Sequence, residues 1–510
     1  MSPILPDAPI QARPAAPALL VRVLFCLTAL AAATVPWLAA RPPMVDLPQH
    51  AAQVALWRDL LAGTSPWNGL VAVNLPTPYL IGYAAMLPLV ALVPAVTAAK
   101  LVLSAAVLGF VAGCVALRRA VGGDPRLDWL APVGLFGYAW QWGFVTFLAA
   151  APFGLWLLVL AVRQAAMPDR RRAGGIVALG LACLFAHALV FLMAGFLGGL
   201  LALLALARRR YAGTVLTLGP WLLLGLAFVL LRLATMGDAG AFQLGDINGP
   251  PVLDRPRLML GYVTEVDGAG TVWPRPALLL MLLAPVALRL RFNRQDGVWL
   301  FGGLVALLLC LPFYAFETAG LVNRFALFLP PFSALAFARG ERPTGRGGGA
   351  VVVVLIGCCW SLVGLAWSRT LAFGPEAAAF ETVLAAAAPG QRALALVADP
   401  GSPAAANPQA YRHWPSWYGA DKHGFVDFNF AAFPPQVVRF RPGQRPAVDA
   451  GIGWDPARYD WAAPEARLYR YVVLRGDDAF TAAMRRASPC RLDVAATAGP
   501  WTLLERTGCP

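Results

Sequence analysis

Hydrophobic stretches of roughly 18–22 residues recur from Leu19 to about Thr370, and such a chain has few ways to fold. Each stretch is long enough to cross a ~30 Å hydrocarbon core as a helix, the only open-ended structure that satisfies its own backbone there. The candidate spans are 19–40, 79–97, 98–117, 127–140 (short), 143–163, 173–187, 188–207, 213–233, 276–290, 297–316, 321–338 and 350–370. They predict a polytopic α-helical membrane protein with about 11–13 transmembrane helices. Only 13% of the 510 residues are charged, against roughly a quarter in soluble proteins, so lipid must solvate most of the chain. Before the first span Arg13 is the only base and no small-residue cleavage site follows, so 19–40 reads as a retained anchor.

The net charge of +14 does not point to nucleic acid, because the arginines are placed like topology signals. Arg170-Arg171-Arg172, Arg208-Arg209-Arg210, Arg289/Arg291/Arg294 and Arg339/Arg342/Arg346 all fall in short loops between spans. That is the positive-inside pattern, and it assigns these loops to the cytoplasm. Six cysteines (Cys26, Cys114, Cys183, Cys310, Cys358, Cys359) lie within spans as small apolar residues. Cys490 and Cys509 lie in the tail, either as a disulfide of an external domain or as two free thiols.

Counting back from the basic loop 339–349 puts the tail 371–510 outside, and with it the long loop 234–275. The stretch 173–207 begins and ends at cytoplasmic arginines, so it is a hairpin with its external turn near His187. Counting forward from an inside N-terminus puts loop 41–78 outside, but then Arg118-Arg119 falls on the wrong side. Either 79–97, which holds Pro88 and Pro94, or the short 127–140 does not cross as a regular helix. The tail lacks long apolar runs. Short strand-like runs at 393–397 and 468–474 and a helix at 375–388 predict a small α/β extracytoplasmic domain.

The residues that could do chemistry cluster on the predicted external side. After the first span the chain reads Pro43-Met44-Val45-Asp46-Leu47-Pro48-Gln49-His50, followed by an amphipathic helix over 47–61 along the membrane. Asp46 with Gln49 three residues on has the capping-box spacing, so Asp46 is either a helix cap or a carboxylate poised as general base. His50, one turn further, could bind phosphate when protonated or carry a proton; anchoring at the interface is the alternative. His187, within an apolar run, is a functional candidate or an interhelical hydrogen bonder. Gln141 and Trp142, in Trp140-Gln141-Trp142-Gly143-Phe144, form an aromatic belt or a substrate-facing platform. Arg324, in Asn323-Arg324-Phe325, suits a phosphate or snorkels to the interface. Asp238, Asp246, Asp254, Glu265 and Asp267 dot loop 234–275, mostly as solvated charges.

This layout resembles the GT-C superfamily of polytopic glycosyltransferases, which take sugars from polyprenyl-phosphate carriers. The string Asp46-Leu47-Pro48-Gln49-His50 is similar to the Asp-Tyr-Pro-x-His-type opening of the first external loop in many bacterial members. Asn323-Arg324-Phe325 with Leu329-Pro330-Pro331 resembles an Arg-aromatic and Leu-Pro stretch of a later span. The resemblance implies a bacterial inner-membrane transferase with Asp46 catalytic, Arg324 on the lipid phosphate and an unknown acceptor. The residue chemistry itself adds His50, His187, Gln141 and Trp142 as candidate substrate contacts. The second external loop departs from the pattern by lacking an acid, which favours a metal-independent reaction with no cofactor. A transporter or flippase and a non-catalytic assembly subunit are the competing classes.

Overall fold

The computed structural model describes residues 16–208, 213–235, 247–265, 274–315, 318–340 and 347–509. Six helices among them are long and apolar enough to cross a membrane. These are α1 (Ala16–Thr34, its apolar run continuing to Trp37), α4 (Ala95–Ala120), α6 (Val145–Ala166), α8 (Ala188–Ala207), α9 (Thr214–Thr235) and α14 (Gly347–Ala377). The remaining apolar segments are shorter or broken. They include α7 (Arg170–Ala186), α11 (Pro274–Ala287) and α12 (Asp296–Cys310), of 17, 14 and 15 residues.

Three expected spans are not single helices, and each has a local cause. The segment 79–97 splits into α3 (Leu80–Met86) and a 3-10 turn at Leu89–Ala91 around Pro88. The segment 321–338 becomes a 3-10 turn (Asn323–Phe328) and α13 (Leu329–Leu335), meeting at Pro330-Pro331. The segment 127–140 is a 3-10 turn (Pro125–Leu130), irregular backbone and the short α5 (Tyr138–Trp142). Residues 129–140 are buried, and a Cβ at Gly137 would lie 2.3 Å from the Val263 carbonyl oxygen. Irregular backbone is tolerated at membrane depth only where protein, not lipid, surrounds it.

Two of the broken segments, 79–97 and 127–140, are the ones on which the parity conflict turned. Tyr79 stacks on His187 and the Val90 carbonyl accepts from Arg58, so α3 and its turn stay at the His187 end of the bundle. The irregular 125–142 then makes the return, from Arg118–Asp128 at one end to Trp142 beside Asp46 at the other. The described ends of the basic loops meet at a single end. Asn293 donates to the Val121 carbonyl, Arg291–Phe292 pairs with Phe337–Ala338, and Arg208 pairs with Asp296. His187 lies at the far end of α7 from Arg170, about 25 Å away at 1.5 Å per residue.

The C-terminal part is a five-stranded mixed sheet. Its strand order is Arg491–Ala498, Trp501–Gly508, Tyr471–Arg475, Arg392–Val397, Phe425–Asp427. The last two neighbouring pairs are parallel and the first two antiparallel. Cys490 and Cys509 form a disulfide across the first hairpin. The helix expected at 375–388 is the end of α14 plus α15 (Ala379–Ala386), and α14 runs unbroken through Pro375.

The helix α2 (Leu47–Leu61) is largely buried, and the C-terminal domain roofs it. Val54 and Trp57 are buried as a shared face, while Leu61 is exposed. Gln53 accepts from Val438 N, Asp59 pairs with His423, and strand Val71–Val73 joins Val438–Phe440. Arg41 ties the same junction, reaching Glu381 and Asp421 at 2.5 and 2.8 Å.

Candidate functional site between helix α2, the bundle and the C-terminal domain

Backbone hydrogen bonds hold the octet in place. Val45 N donates to the Gln141 carbonyl (3.2 Å) and Asp46 N to the Trp142 carbonyl (2.9 Å). Gly143 closes α5 at φ +76°, and a Cβ there would press on the Asp46 and Leu47 amides at 3.0 Å. Glycine therefore allows both the left-handed turn and the close approach.

The capping-box reading of Asp46 fails on both halves. Asp46 begins α2, but its side chain makes no capping bond. The Gln49 amide faces the other way, donating to the Phe428 carbonyl (3.2 Å) and accepting from Phe430 N (3.1 Å). The Asp46 carboxylate instead faces His413 Nε2 at 3.5 Å. Burial raises the Asp46 carboxyl to about 7, with the Arg324 charge opposing the shift. A carboxyl in that range can accept a proton near neutral pH and release it again.

His50 is neutral. Burial, assisted by His413, pushes its imidazole down to about 3, so a charge-based grip on phosphate is not available to it. Tyr83 donates its only proton to Gln436 Oε1 (2.6 Å) and so accepts from His50 Nδ1 (2.6 Å). The tautomer assigned by this chain leaves the His50 Nε2 lone pair without a partner among the described residues.

His187 is fixed in the opposite sense. It caps α8, its Nδ1 accepting from Leu189 N (3.2 Å), which places the proton on Nε2. Tyr79 stacks on its ring at 4.7 Å and Phe147 meets it edge-on at 5.4 Å. Arg324 lies 4.0 Å above the Phe144 ring, and its Nε and Nη2 donate to the Gly320 and Ala319 carbonyls at 2.7 and 3.0 Å. It acts electrostatically on Asp46 and on His187 without an ion pair to either.

Asp46, His50, His187 and Arg324 thus converge, whereas Gln141 and Trp142 contribute mainly backbone. The Gln141 side chain donates to the Phe136 carbonyl (3.0 Å), and Trp142 stacks on Phe144. Sequence reasoning missed His413, Tyr83 and Gln436. A signal was available for His413: the chain has only four histidines, three of which meet here while the fourth pairs with Asp59. In loop 234–275, Glu265 pairs with Arg275 (2.9 Å), and Asp254 begins a helix without capping it. Asp238, Asp246, Asp267 and the loop arginines Arg209, Arg210, Arg342 and Arg346 lie outside the described residues. No group of three or more His, Cys, Asp or Glu placed to hold a metal occurs among the described residues.

Compared with known proteins, the chain matches no family model and no curated sequence. Fold and site define its class: a helical protein with six membrane-length helices among its described residues, capped at one end by an α/β domain over a buried acid–histidine–arginine site.

Proposed function

We propose that the protein is an integral-membrane glycosyltransferase that moves a sugar from a polyprenyl-phosphate carrier to an acceptor on the extracytoplasmic face. One observation carries the reading: the Asp46 carboxylate is released from helix capping, buried, and set beside His413 with Arg324 across from it. Direct displacement needs little more. Asp46 takes the proton of the acceptor hydroxyl as its oxygen bonds to the anomeric carbon, and the carbon–oxygen bond to phosphate breaks. The electron pair leaves with the phosphate, which departs already ionised and requires no strong general acid. Arg324, whose charge acts on Asp46, is the cation to receive it.

Sidedness supports the reading. The basic loops collect at the end opposite the site, so the positive-inside rule turns the site outward. The Cys490–Cys509 disulfide fits an oxidising compartment. The string Asp46-Leu47-Pro48-Gln49-His50, similar to the GT-C opening motif, supplies the substrate class. The test is Asp46→Asn, with sugar transfer from a labelled polyprenyl-phosphate donor as the readout. Transfer is expected to vanish while the protein still accumulates in the membrane; persistent transfer overturns the assignment.

A further inference from the structure

Arg324 has a counterpart on the other side of Asp46. Arg412 adjoins His413 in the C-terminal domain and is 7% exposed. Its Nε donates to Gln409 Oε1 at 2.6 Å; among the described residues its buried Nη1 has no acceptor and no carboxylate forms an ion pair with it. A buried cation without a counter-charge is costly, and an orphaned buried N–H adds to that cost. Folding retains such a group where something else supplies the charge. The Arg412 guanidinium lies 4.4 Å from the Trp454 ring centroid. Trp454 sits 6.2 Å from Trp142, which stacks at 6.3 Å on Phe144, over which Arg324 lies. Two guanidiniums therefore stand at the two ends of one aromatic row, Phe144–Trp142–Trp454. Asp46 is bonded through its backbone to the middle member. The Trp142 Nε1 is a second buried donor without a partner. Trp454 is 55% exposed, so its ring is open to an incoming molecule.

We infer that Arg412, framed by Trp142 and Trp454, is an anion subsite for the acceptor, which is a saccharide bearing a carboxylate or phosphate. Its ring packs on Trp454 and its anion pairs with Arg412, while Arg324 at the far end of the row serves the donor phosphate. The inference rests on the glycosyl-transfer reading for the word acceptor, but the anion site itself does not.

The test is calorimetric titration of the full-length protein in lipid nanodiscs with glucuronate, glucose 6-phosphate, glucose and inorganic phosphate. Glucuronate or glucose 6-phosphate should bind at least about tenfold more tightly than glucose or inorganic phosphate, a gap of about 1.4 kcal/mol. Which of the two binds identifies the anion. Arg412→Gln should remove that preference and Arg412→Lys should retain part of it. Trp454→Ala, at an exposed position that folding tolerates, should weaken the charged sugars by a similar factor. Glucose or bare phosphate binding as tightly as the charged sugars overturns the proposal, as does unchanged affinity in Arg412→Gln or Trp454→Ala. Asp46→Asn separates the two readings, because it should abolish transfer yet leave this binding intact. Normal transfer in that variant sinks the assignment of Asp46 alone, wild type that binds the charged sugars but transfers none sinks the transferase alone, and unchanged binding in Arg412→Gln sinks the subsite alone.

Discussion

Asp46 Oδ1 and His413 Nε2 stand 3.5 Å apart, one at the head of the helix after the first span and the other in the C-terminal domain. Neither half of the molecule contains the pair by itself. The site forms only when the α/β domain closes over α2, and Gln49, Gln53, Asp59 and Arg41 hold it there.

Activity should rise with pH through about 7, because the Asp46 carboxylate must be ionised to accept a proton. Stability should move the other way. The folded-state carboxyl is raised above its unfolded value of 3.8, so the folded state binds more protons between roughly pH 4 and 7 and loses stability across that window. At about 1.36 kcal/mol per unit the loss is at most a few kcal/mol. Asp46→Asn should therefore melt higher than wild type at pH 8 and about level with it at pH 4.5. A variant that melts lower at pH 8 would refute the burial argument.

His413→Phe preserves the ring shape and removes the polar atom facing Asp46. Transfer should fall about 10²-fold, and the loss should not add to that of Asp46→Asn. Steady-state rates of the single and double variants in membranes decide this. Activity within twofold of wild type would mean the proximity is incidental.

Tyr83→Phe breaks the chain from His50 to Gln436, leaving a buried N–H and a buried carbonyl without partners. The expected loss is about 1–3 kcal/mol, visible as a lower melting temperature in detergent. An unchanged melting temperature would show that the relay is not held as described.

Arg41→Ala should loosen the roof, since Arg41 bonds Glu381 and Asp421 and lies 4.5 Å from the Trp417 ring centroid. Limited proteolysis is expected to release the C-terminal domain faster, with a destabilisation of about 1–3 kcal/mol. Identical digestion rates would place the docking energy elsewhere.

Cys490→Ser should destabilise the C-terminal sheet by about 2–4 kcal/mol through loss of a crosslink across 19 residues. Alkylation of the unreduced wild type should leave both positions unlabelled. Labelling at either would refute the disulfide.

The sequence by itself determined the class and the inventory. Runs of apolar residues can satisfy their backbone in lipid only as helices, so the helical bundle follows from composition and length. Prolines 88, 330 and 331 explain why some of those runs break, and the short strand-like runs mark the α/β tail. Asp46, His50, His187 and Arg324 were visible because an ionisable residue near lipid stands out against its neighbours. Only the tertiary structure decided what surrounds them. Spacing could not separate a capping aspartate from a free one, because that depends on where Gln49 turns, and Gln49 turns to Phe428 and Phe430. Nor could it reveal His413, Arg412 or Trp454, which reach Asp46 and Trp142 through a domain closure with no sequence period. Local patterning sets each element's type, whereas the charge and protonation of a buried site depend on what long-range packing places against it.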